Sequence, residues 1–191
     1  MTEILLPADL ADAVARVRAH APFLDNLLTR EAVLVADLDA ALADPRAAAR
    51  AGVGEMGEGA RLRIERRRLA LLVALGDLSG RFDLTRVTHL LTDFADEALD
   101  RAIRAAILER TPDAEPRGFA AIALGKQGSR ELNYSSDIDP ILLFDPETLP
   151  CRPREDVQEA AVRIGRRVVE LLQARDGDGY VLRVDLRLRP S

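Results

Sequence analysis

The segment GKQGSRELNYSSDID, residues 125–139, brings together two glycines, a lysine, several hydroxyl groups and two aspartates. It lies between two apolar runs of strand length, residues 119–124 and 141–144. Glycine lets backbone N–H groups come close to a phosphate, and carboxylates are ligands for hard divalent cations. The segment therefore predicts a connection between two β-strands that presents phosphate and metal ligands at one place.

The chain around this segment reads as a small sheet with a helix. Strands are predicted at residues 119–124 and 138–144, and an amphipathic helix is predicted over residues 154–175. The sequence DGDG at residues 176–179 ends this helix and turns the chain into a third strand. The order strand, helical turn, strand, long helix, strand is typical of an α/β sheet with helices on at least one face.

The part of the chain before this sheet has a different pattern. Residues 8–110 carry apolar side chains at spacings of three and four, which predicts one helix after another. Two prolines and a glycine then break the helical period at residues 111–118. We predict an α+β protein with an all-helical domain at residues 1–110, a linker, and an α/β domain with a small mixed sheet at residues 119–191.

Three aspartates are predicted to share one face of the sheet. Asp137 and Asp139 are two residues apart, and Asp185 belongs to a stretch in which charged and aliphatic residues alternate. A solvent-exposed strand face is the simpler interpretation of that alternation. Three carboxylates on one face would repel one another unless cations lay among them, however, and the set is suited to one or two Mg²⁺ ions with open positions for nucleotide phosphates.

Five further residues are candidates for binding the nucleotide. Gly128 and Ser129 begin the turn between the first two strands and would offer backbone N–H groups and a hydroxyl to a phosphate. Lys126 is the single lysine among 27 lysine and arginine residues, so either a general bias toward arginine or a phosphate contact explains its place in this loop. Ser136 and Arg187 complete the predicted set.

Composition excludes several other classes of protein. The net charge of −5 does not favour nucleic acid, and no apolar run approaches the length of a membrane span. A single cysteine, Cys151, can form no disulfide within the chain and has no neighbouring histidine to activate it, so we expect a cytoplasmic protein with no catalytic thiol. The arginines at residues 66–68 are expected to be solvated and paired, with a docking patch for an acidic partner as the alternative.

The quoted segment, together with RVDLRLRP at residues 183–190, resembles bacterial glutamine synthetase adenylyltransferase, the bifunctional adenylyl-transferring and adenylyl-removing enzyme of the DNA-polymerase-β-like nucleotidyltransferase superfamily. The resemblance implies a nucleotidyltransferase-type domain in which Asp137, Asp139 and Asp185 are catalytic and bind Mg²⁺. It also implies that Gly128 and Ser129 hold phosphate.

The sequence RELN at residues 130–133 and the helical domain before it resemble the adenylyl-removing half of that family. The implied reaction is phosphorolysis, in which inorganic phosphate attacks the AMP on a tyrosine of glutamine synthetase and gives ADP. Glutamine synthetase is the implied partner, and a PII signalling protein is expected to act through the remainder of a longer protein that also uses ATP. We expect this chain to be the N-terminal portion of such a protein, with a role in nitrogen metabolism.

Two residues depart from the family's pattern. Pro140 stands where an aliphatic residue is common, and Ser129 stands where glycine is frequent.

Two other functions stay open. One alternative is a nucleotidyltransferase that acts on a different substrate. The other is a non-catalytic interaction module, in which the helical domain is a platform and the incomplete sheet is inert.

Overall fold

The computed structural model describes residues 6–186 of the chain. Helices make up most of this part, and a two-stranded sheet lies in its second half. In chain order the elements are α1 (Ala8–His20), α2 (Pro22–Arg30), α3 (Ala32–Ala36), α4 (Leu38–Ala43), α5 (Pro45–Arg50), α6 (Glu58–Leu78), α7 (Leu84–Arg110), β1 (Phe119–Ala123), α8 (Gly125–Gly128), β2 (Pro140–Phe144) and α9 (Val157–Gln173).

Helix α6 is the centre of the helical part. Every residue from 69 to 76 is buried, and the helix contacts α1, α2, α4, α5, α7 and α9. This enclosed stretch has no polar face, so its apolar residues need no single stripe, whereas the charged residues of α6 lie mainly in its first half. Helix α7 follows within the region predicted to be helical: it begins after Asp83, whose carboxylate accepts a hydrogen bond from the backbone of Arg86, and it ends before Thr111.

The sheet consists of β1 and β2, which run antiparallel with Phe119 opposite Phe144 and Ala123 opposite Pro140. Pro140 is the first residue of its strand, a position in which the missing backbone N–H is tolerated. One face of the pair packs toward α9, where Leu142 and Phe119 lie against Gly165. The connection between the two strands, residues 124–139, holds the segment that the sequence singled out.

Of the predicted third strand, the structure describes residues 181–186. Between residues 181 and 186 the chain forms one parallel bridge, which pairs Val184 with Ile138. The sheet of the described residues is therefore two-stranded and antiparallel, with the parallel bridge outside it, which agrees with an α+β protein; the mixed sheet stays a prediction. Arg187, one of the predicted nucleotide-binding residues, lies outside the described part of the chain.

One hydrophobic core runs through the described residues. It joins side chains of the helical part, such as Leu72 and Ile107, to side chains of α9, such as Ile164 and Leu172. Helix α9 packs directly against α7, so the segment at residues 111–118 connects two parts that share this core. Within residues 6–186, no helix is long and apolar enough to cross a membrane.

Arginine–carboxylate pairs lie at the edge of this core. Glu65 is only 2% exposed and receives two hydrogen bonds from the guanidinium of Arg101, at 2.7 and 3.0 Å. Arg67 and Arg68 both bind the buried carboxylate of Glu31. The predicted pairing is therefore present at Arg67 and Arg68, whereas Arg66 donates to the backbone carbonyl of Tyr134. All three side chains are partly buried rather than fully solvated.

Candidate functional site

A cavity of about 860 Å³ opens beside the start of α8 and the start of β2. Five of the predicted site residues contribute to its lining, which consists of Leu124, Gly125, Lys126, Asn133, Ser135, Ser136, Asp137, Asp139, Pro140, Arg183, Asp185 and Leu186. A concave site with a few convergent polar groups is the usual form of a ligand-binding cavity. The cavity thus brings together three carboxylates, a lysine and an arginine.

The three aspartates meet because of the bridge between Ile138 and Val184. The backbone N–H of Ile138 donates to the carbonyl of Arg183 at 2.9 Å, and the N–H of Asp185 donates to the carbonyl of Ile138 at 2.9 Å. Ile138 itself is fully buried. Side chains alternate along an extended chain, so burial of Ile138 turns Asp137 and Asp139 to the side away from the core.

Arg183 supplies a cation in this cluster that the sequence interpretation did not assign to the site. Its guanidinium donates to the carboxylate of Asp137 and to the backbone carbonyl of Ser135. The alternation at residues 182–189 could have identified it, since Arg183 and Asp185 are two residues apart. The expected repulsion among the carboxylates is thus relieved in part by a side chain of the protein.

Asp139 lies against the backbone of Gly125. Gly125 has a φ of +55°, and a Cβ added to it would lie 3.3 Å from the Oδ2 atom of Asp139. A left-handed backbone favours glycine, and a side chain here would crowd the carboxylate. Gly125 therefore leaves room for Asp139 at the mouth of the cavity.

Gly128 and Ser129 do not belong to the lining of the cavity. A Cβ at Gly128 would lie 2.7 Å from the carbonyl oxygen of Ala123, so glycine allows α8 to fold back closely on β1. The hydroxyl of Ser129 donates to the carbonyl of Gly125 at 3.2 Å and also lies 3.0 Å from a carboxylate oxygen of Glu131. These contacts give both residues a role in shaping the turn, and their predicted phosphate contact stays a prediction.

Ser136 is held in a local turn with Asn133. Its hydroxyl donates to the side-chain oxygen of Asn133 at 2.9 Å and accepts from the backbone N–H of the same residue at 3.2 Å. The side-chain oxygen of Asn133 also accepts from the backbone N–H of Ser135 at 3.2 Å. This is the kind of side-chain-to-backbone bonding that stabilises turns, and it fixes the approach to Asp137.

Helix α7 holds the other end of the same segment. The side-chain amide of Gln127 donates to Asp96 at 2.7 Å, and the guanidinium of Arg130 donates to Asp93 at 2.6 Å. Gln127 is only 3% exposed, and its amide oxygen has no hydrogen-bond partner among the described residues. The turn is therefore attached by polar contacts to the longest helix of the described chain.

The carboxylates of the cavity are the right type of ligand for a hard divalent cation, but they are not close enough together to hold one in this arrangement. Carboxylate oxygens are what Mg²⁺ prefers, and Asp137, Asp139 and Asp185 line one cavity. Within residues 6–186, however, no three histidine, cysteine or acidic side chains are placed closely enough to hold a metal ion. The pair between Asp137 and Arg183 is about half exposed, so turning the carboxylate away would cost about 0–1 kcal/mol.

Fold and cavity together define a mainly helical α+β protein with an acidic cavity that also carries lysine and arginine side chains. The chain belongs to the glutamate-ammonia ligase adenylyltransferase family, whose family model matches residues 8–191. This finding confirms the resemblance on which the sequence interpretation was based.

Curated relatives of the chain carry the name bifunctional glutamine synthetase adenylyltransferase/adenylyl-removing enzyme. The protein from Xanthobacter autotrophicus is 45% identical over 98% of this chain and 21% of its own length. The proteins from Caulobacter vibrioides and Rhizobium meliloti are 41% and 38% identical, over 94% and 91% of this chain. The chain thus spans about a fifth of the length of these relatives.

Proposed function

We propose that this chain carries an adenylyl-removing site that acts on glutamine synthetase in the cytoplasm. The observation that supports the proposal best is the convergence of Asp137, Asp139 and Asp185 on one cavity with Lys126 and Arg183, in a member of this family. Transfer of a phosphoryl or adenylyl group needs little covalent chemistry from the protein and depends on positioning and charge neutralisation. These five side chains are suited to both tasks.

In the proposed reaction, inorganic phosphate and an AMP-modified tyrosine meet in this cavity. An oxygen of the phosphate attacks the phosphorus of AMP, the bond from phosphorus to the tyrosine oxygen breaks, and the tyrosine recovers a proton. The products are ADP and unmodified glutamine synthetase. Lys126 and Arg183 would hold the anionic groups at the cavity wall, and the turn at Gly125 leaves space for them beside Asp139.

Asp137, Asp139 and Asp185 would hold Mg²⁺ in this proposal. When bound, Mg²⁺ neutralises the negative charge that phosphate groups bring together. The part played by the protein is to release Asp137 from Arg183 and to keep the three carboxylates at one side of the cavity. Because the ion pair is exposed, that release is a small cost beside the charge that nucleotide and phosphate introduce.

Release of ADP from adenylylated glutamine synthetase is the direct test. The chain is mixed with the modified enzyme, phosphate and Mg²⁺, and ADP is measured over time for the wild type, for Asp139→Asn and for Asp113→Asn. Asp113 is an exposed acid outside the cavity and is the matched control. We expect ADP from the wild type and the control, and a loss of at least about a hundredfold with Asp139→Asn, comparable to removing one electrostatic contact to the reacting groups.

The same assay separates the proposed reaction from its rivals. If the chain instead moves AMP from ATP to unmodified glutamine synthetase and releases pyrophosphate, it carries the transferring activity. If ADP forms at the same rate with Asp139→Asn, the cavity is not the site of the reaction. If the wild type binds glutamine synthetase but releases no ADP, the chain serves recognition and the proposal of catalysis fails.

A further inference from the structure

A second cavity lies on the other side of residues 134 and 135. Its volume is about 860 Å³, and it is enclosed by α2, α6, Tyr134, Ser135 and the turn at residues 176–180. None of the three aspartates of the first cavity contributes to it, and only Ser135 lines both. Its size is that of a small-molecule site.

The walls of the second cavity are largely apolar. Leu24 and Leu27 of α2 and Ala70 and Ala74 of α6 line it, together with Phe23, which is 68% exposed. Tyr134 and Tyr180 also belong to the lining. A lining of aliphatic and aromatic groups is suited to the apolar body of a ligand.

Arg66 is the charged group in this lining that lacks a carboxylate. Arg30 and Arg67 both pair with Asp178, whereas the hydrogen bond of Arg66 goes to the backbone carbonyl of Tyr134 at 2.8 Å, and no ion pair of Arg66 occurs within residues 6–186. Burial lowers the pKa of Arg66 below its ordinary value. Its positive charge is thus partly withdrawn from water and has no carboxylate partner among the described residues.

Other arginines of the chain have carboxylate partners that stabilise their positive charge. Hydrogen bonds to Asp9 and Asp39 raise the pKa of Arg81, and a hydrogen bond to Glu109 raises that of Arg167. Burial also acts against the charge of Arg101, but hydrogen bonds to Glu65 and Glu58 raise its pKa overall. Arg66 has no such carboxylate partner, so desolvation lowers its pKa. An anion supplied from outside would therefore be stabilised at this position.

We propose that this second cavity binds a small organic carboxylate with an aromatic or branched aliphatic body, whose carboxylate pairs with the guanidinium of Arg66. A planar carboxylate matches the paired N–H groups of arginine, and the apolar walls accept the rest of the molecule. This site lies outside the proposed catalytic cavity and does not depend on its chemistry.

A ligand in the second cavity would act on the wall that the two cavities share. Arg66 binds the carbonyl of Tyr134 from one side, and Arg183 binds the carbonyl of Ser135 and the carboxylate of Asp137 from the other. Pairing of Arg66 with a carboxylate changes the first of these contacts. The position of Asp137 is then coupled to occupancy of the second cavity through the backbone of residues 134–137 and through Arg183.

Phenylacetate is a suitable probe because its neutral amide, phenylacetamide, has nearly the same shape. Each compound is titrated into the ¹⁵N-labelled chain, and amide shifts are followed by NMR for the wild type, Arg66→Gln, Arg66→Lys, Ala74→Phe and Arg166→Gln. Ala74→Phe fills the cavity, and Arg166 is an exposed arginine of α9 that serves as the matched control. The comparison of phenylacetate with phenylacetamide uses only the wild type, so it remains valid even if a variant fails to fold.

We expect saturable binding of phenylacetate to the wild type and to Arg166→Gln, with amide shifts at Tyr134, Ser135 and Asp137. Binding should weaken by at least about tenfold for phenylacetamide and for Arg66→Gln, less for Arg66→Lys, and should be lost with Ala74→Phe. Equal binding of the acid and the amide would overturn the proposal, as would an unchanged affinity in Arg66→Gln. Failure of phenylacetate to saturate the wild type below roughly 10 mM would also overturn it.

Discussion

At the scale of single residues, the contact between Arg183 and Asp137 governs the candidate site. The guanidinium occupies one carboxylate of the acidic cluster and also holds the backbone at Ser135. Its positive charge would oppose a divalent cation that binds to the same carboxylates. One side chain of the protein therefore reduces the repulsion within the cluster and, in the proposed reaction, would also moderate its attraction for Mg²⁺.

The first prediction concerns this moderating charge. Replacing Arg183 with glutamine removes a positive charge beside Asp137, and we expect Mg²⁺ to bind about two- to tenfold more tightly because exposed charges a few ångströms apart interact by about 1 kcal/mol. Calorimetric titration of Mg²⁺ without nucleotide measures the change, because ADP would add the loss of its own contact with Arg183. Arg104→Gln, at an exposed position on α7, is the control and should leave the affinity for Mg²⁺ unchanged. Weaker binding of Mg²⁺ by Arg183→Gln would contradict the prediction.

Tyr134 gives a second prediction at this scale. Burial raises the pKa of its phenol above the ordinary value of about 10, and Asp77, which accepts a hydrogen bond from the hydroxyl at 3.3 Å, adds to the increase. In the unfolded chain Tyr134 ionises near its ordinary pKa while the native phenol stays protonated. The stabilisation is thus fully present below pH about 10 and is lost as the pH rises beyond it.

Urea unfolding at increasing pH tests this behaviour. The free energy of unfolding should decrease above pH about 10 in the wild type and should decrease less steeply in Tyr134→Phe. Unfolding in this alkaline pH range is simple to interpret because few other groups titrate there: the chain has two tyrosines, one lysine and one cysteine. Equal slopes for the two proteins would show that Tyr134 does not cause the alkaline loss of stability.

At the scale of elements, the close approach of α8 to β1 shapes the cavity. Gly128 permits this approach because an added Cβ would lie only 2.7 Å from the carbonyl oxygen of Ala123. The opposing atom belongs to the backbone of a strand and cannot move as a side-chain tip can. A substitution at this position must therefore move α8, which begins with Gly125 beside Asp139.

The third prediction follows from this geometry. Gly128→Ala should destabilise the chain by about 1–3 kcal/mol, as overpacking does, although alanine is the better helix former. Urea unfolding measures the stability, and NMR shifts at Gly125 and Asp139 report movement of the turn. Gly54→Ala is the matched control because a Cβ there meets nothing within 4 Å. If Gly128→Ala were as stable as Gly54→Ala, the close approach of α8 to β1 would not exclude a Cβ at residue 128, and the prediction would be wrong.

Several elements could be predicted from the sequence because their signals are local. The bounds of α7 follow from Asp83 as an N-cap and from the change of pattern at Thr111, and the shared side of Asp137 and Asp139 follows from period two. The pairing of Arg183 with Asp137 and the attachment of Gln127 to Asp96 could not be predicted. Tertiary packing selects those partners from many arginines and acids, and no spacing in the sequence encodes the choice.

At the scale of the whole molecule, the continuous core connects the helical part to the sheet. Side chains of α9 enter the same cluster as those of α6 and α7, and the buried pair of Glu65 and Arg101 lies in the helical part of that assembly. The predicted linker at residues 111–118 would separate two independent domains only if each kept a core of its own. A shared core instead makes the stability of one part depend on the other.

The fourth prediction is a single cooperative unfolding transition. Ile164→Ala in α9, where the side chain is fully buried, should lower the free energy of unfolding by about 2–5 kcal/mol, while Val162→Ala, at a position 48% exposed on the same helix, should have little effect. Circular dichroism follows mainly the N-terminal helices, and tyrosine fluorescence follows Tyr134 and Tyr180 in the second half. Two separate midpoints, with only the fluorescence shifted by Ile164→Ala, would show independent domains.

The central claim is that Asp137, Asp139 and Asp185 form a site for Mg²⁺ and nucleotide in one cavity. Calorimetric titration of Mg²⁺ into the chain with ADP tests it most directly, because the measurement does not depend on glutamine synthetase. We predict saturable binding to the wild type and to Asp113→Asn, weakened by at least about tenfold in Asp139→Asn. Binding that is unchanged in Asp139→Asn, or absent from the wild type, would contradict the claim.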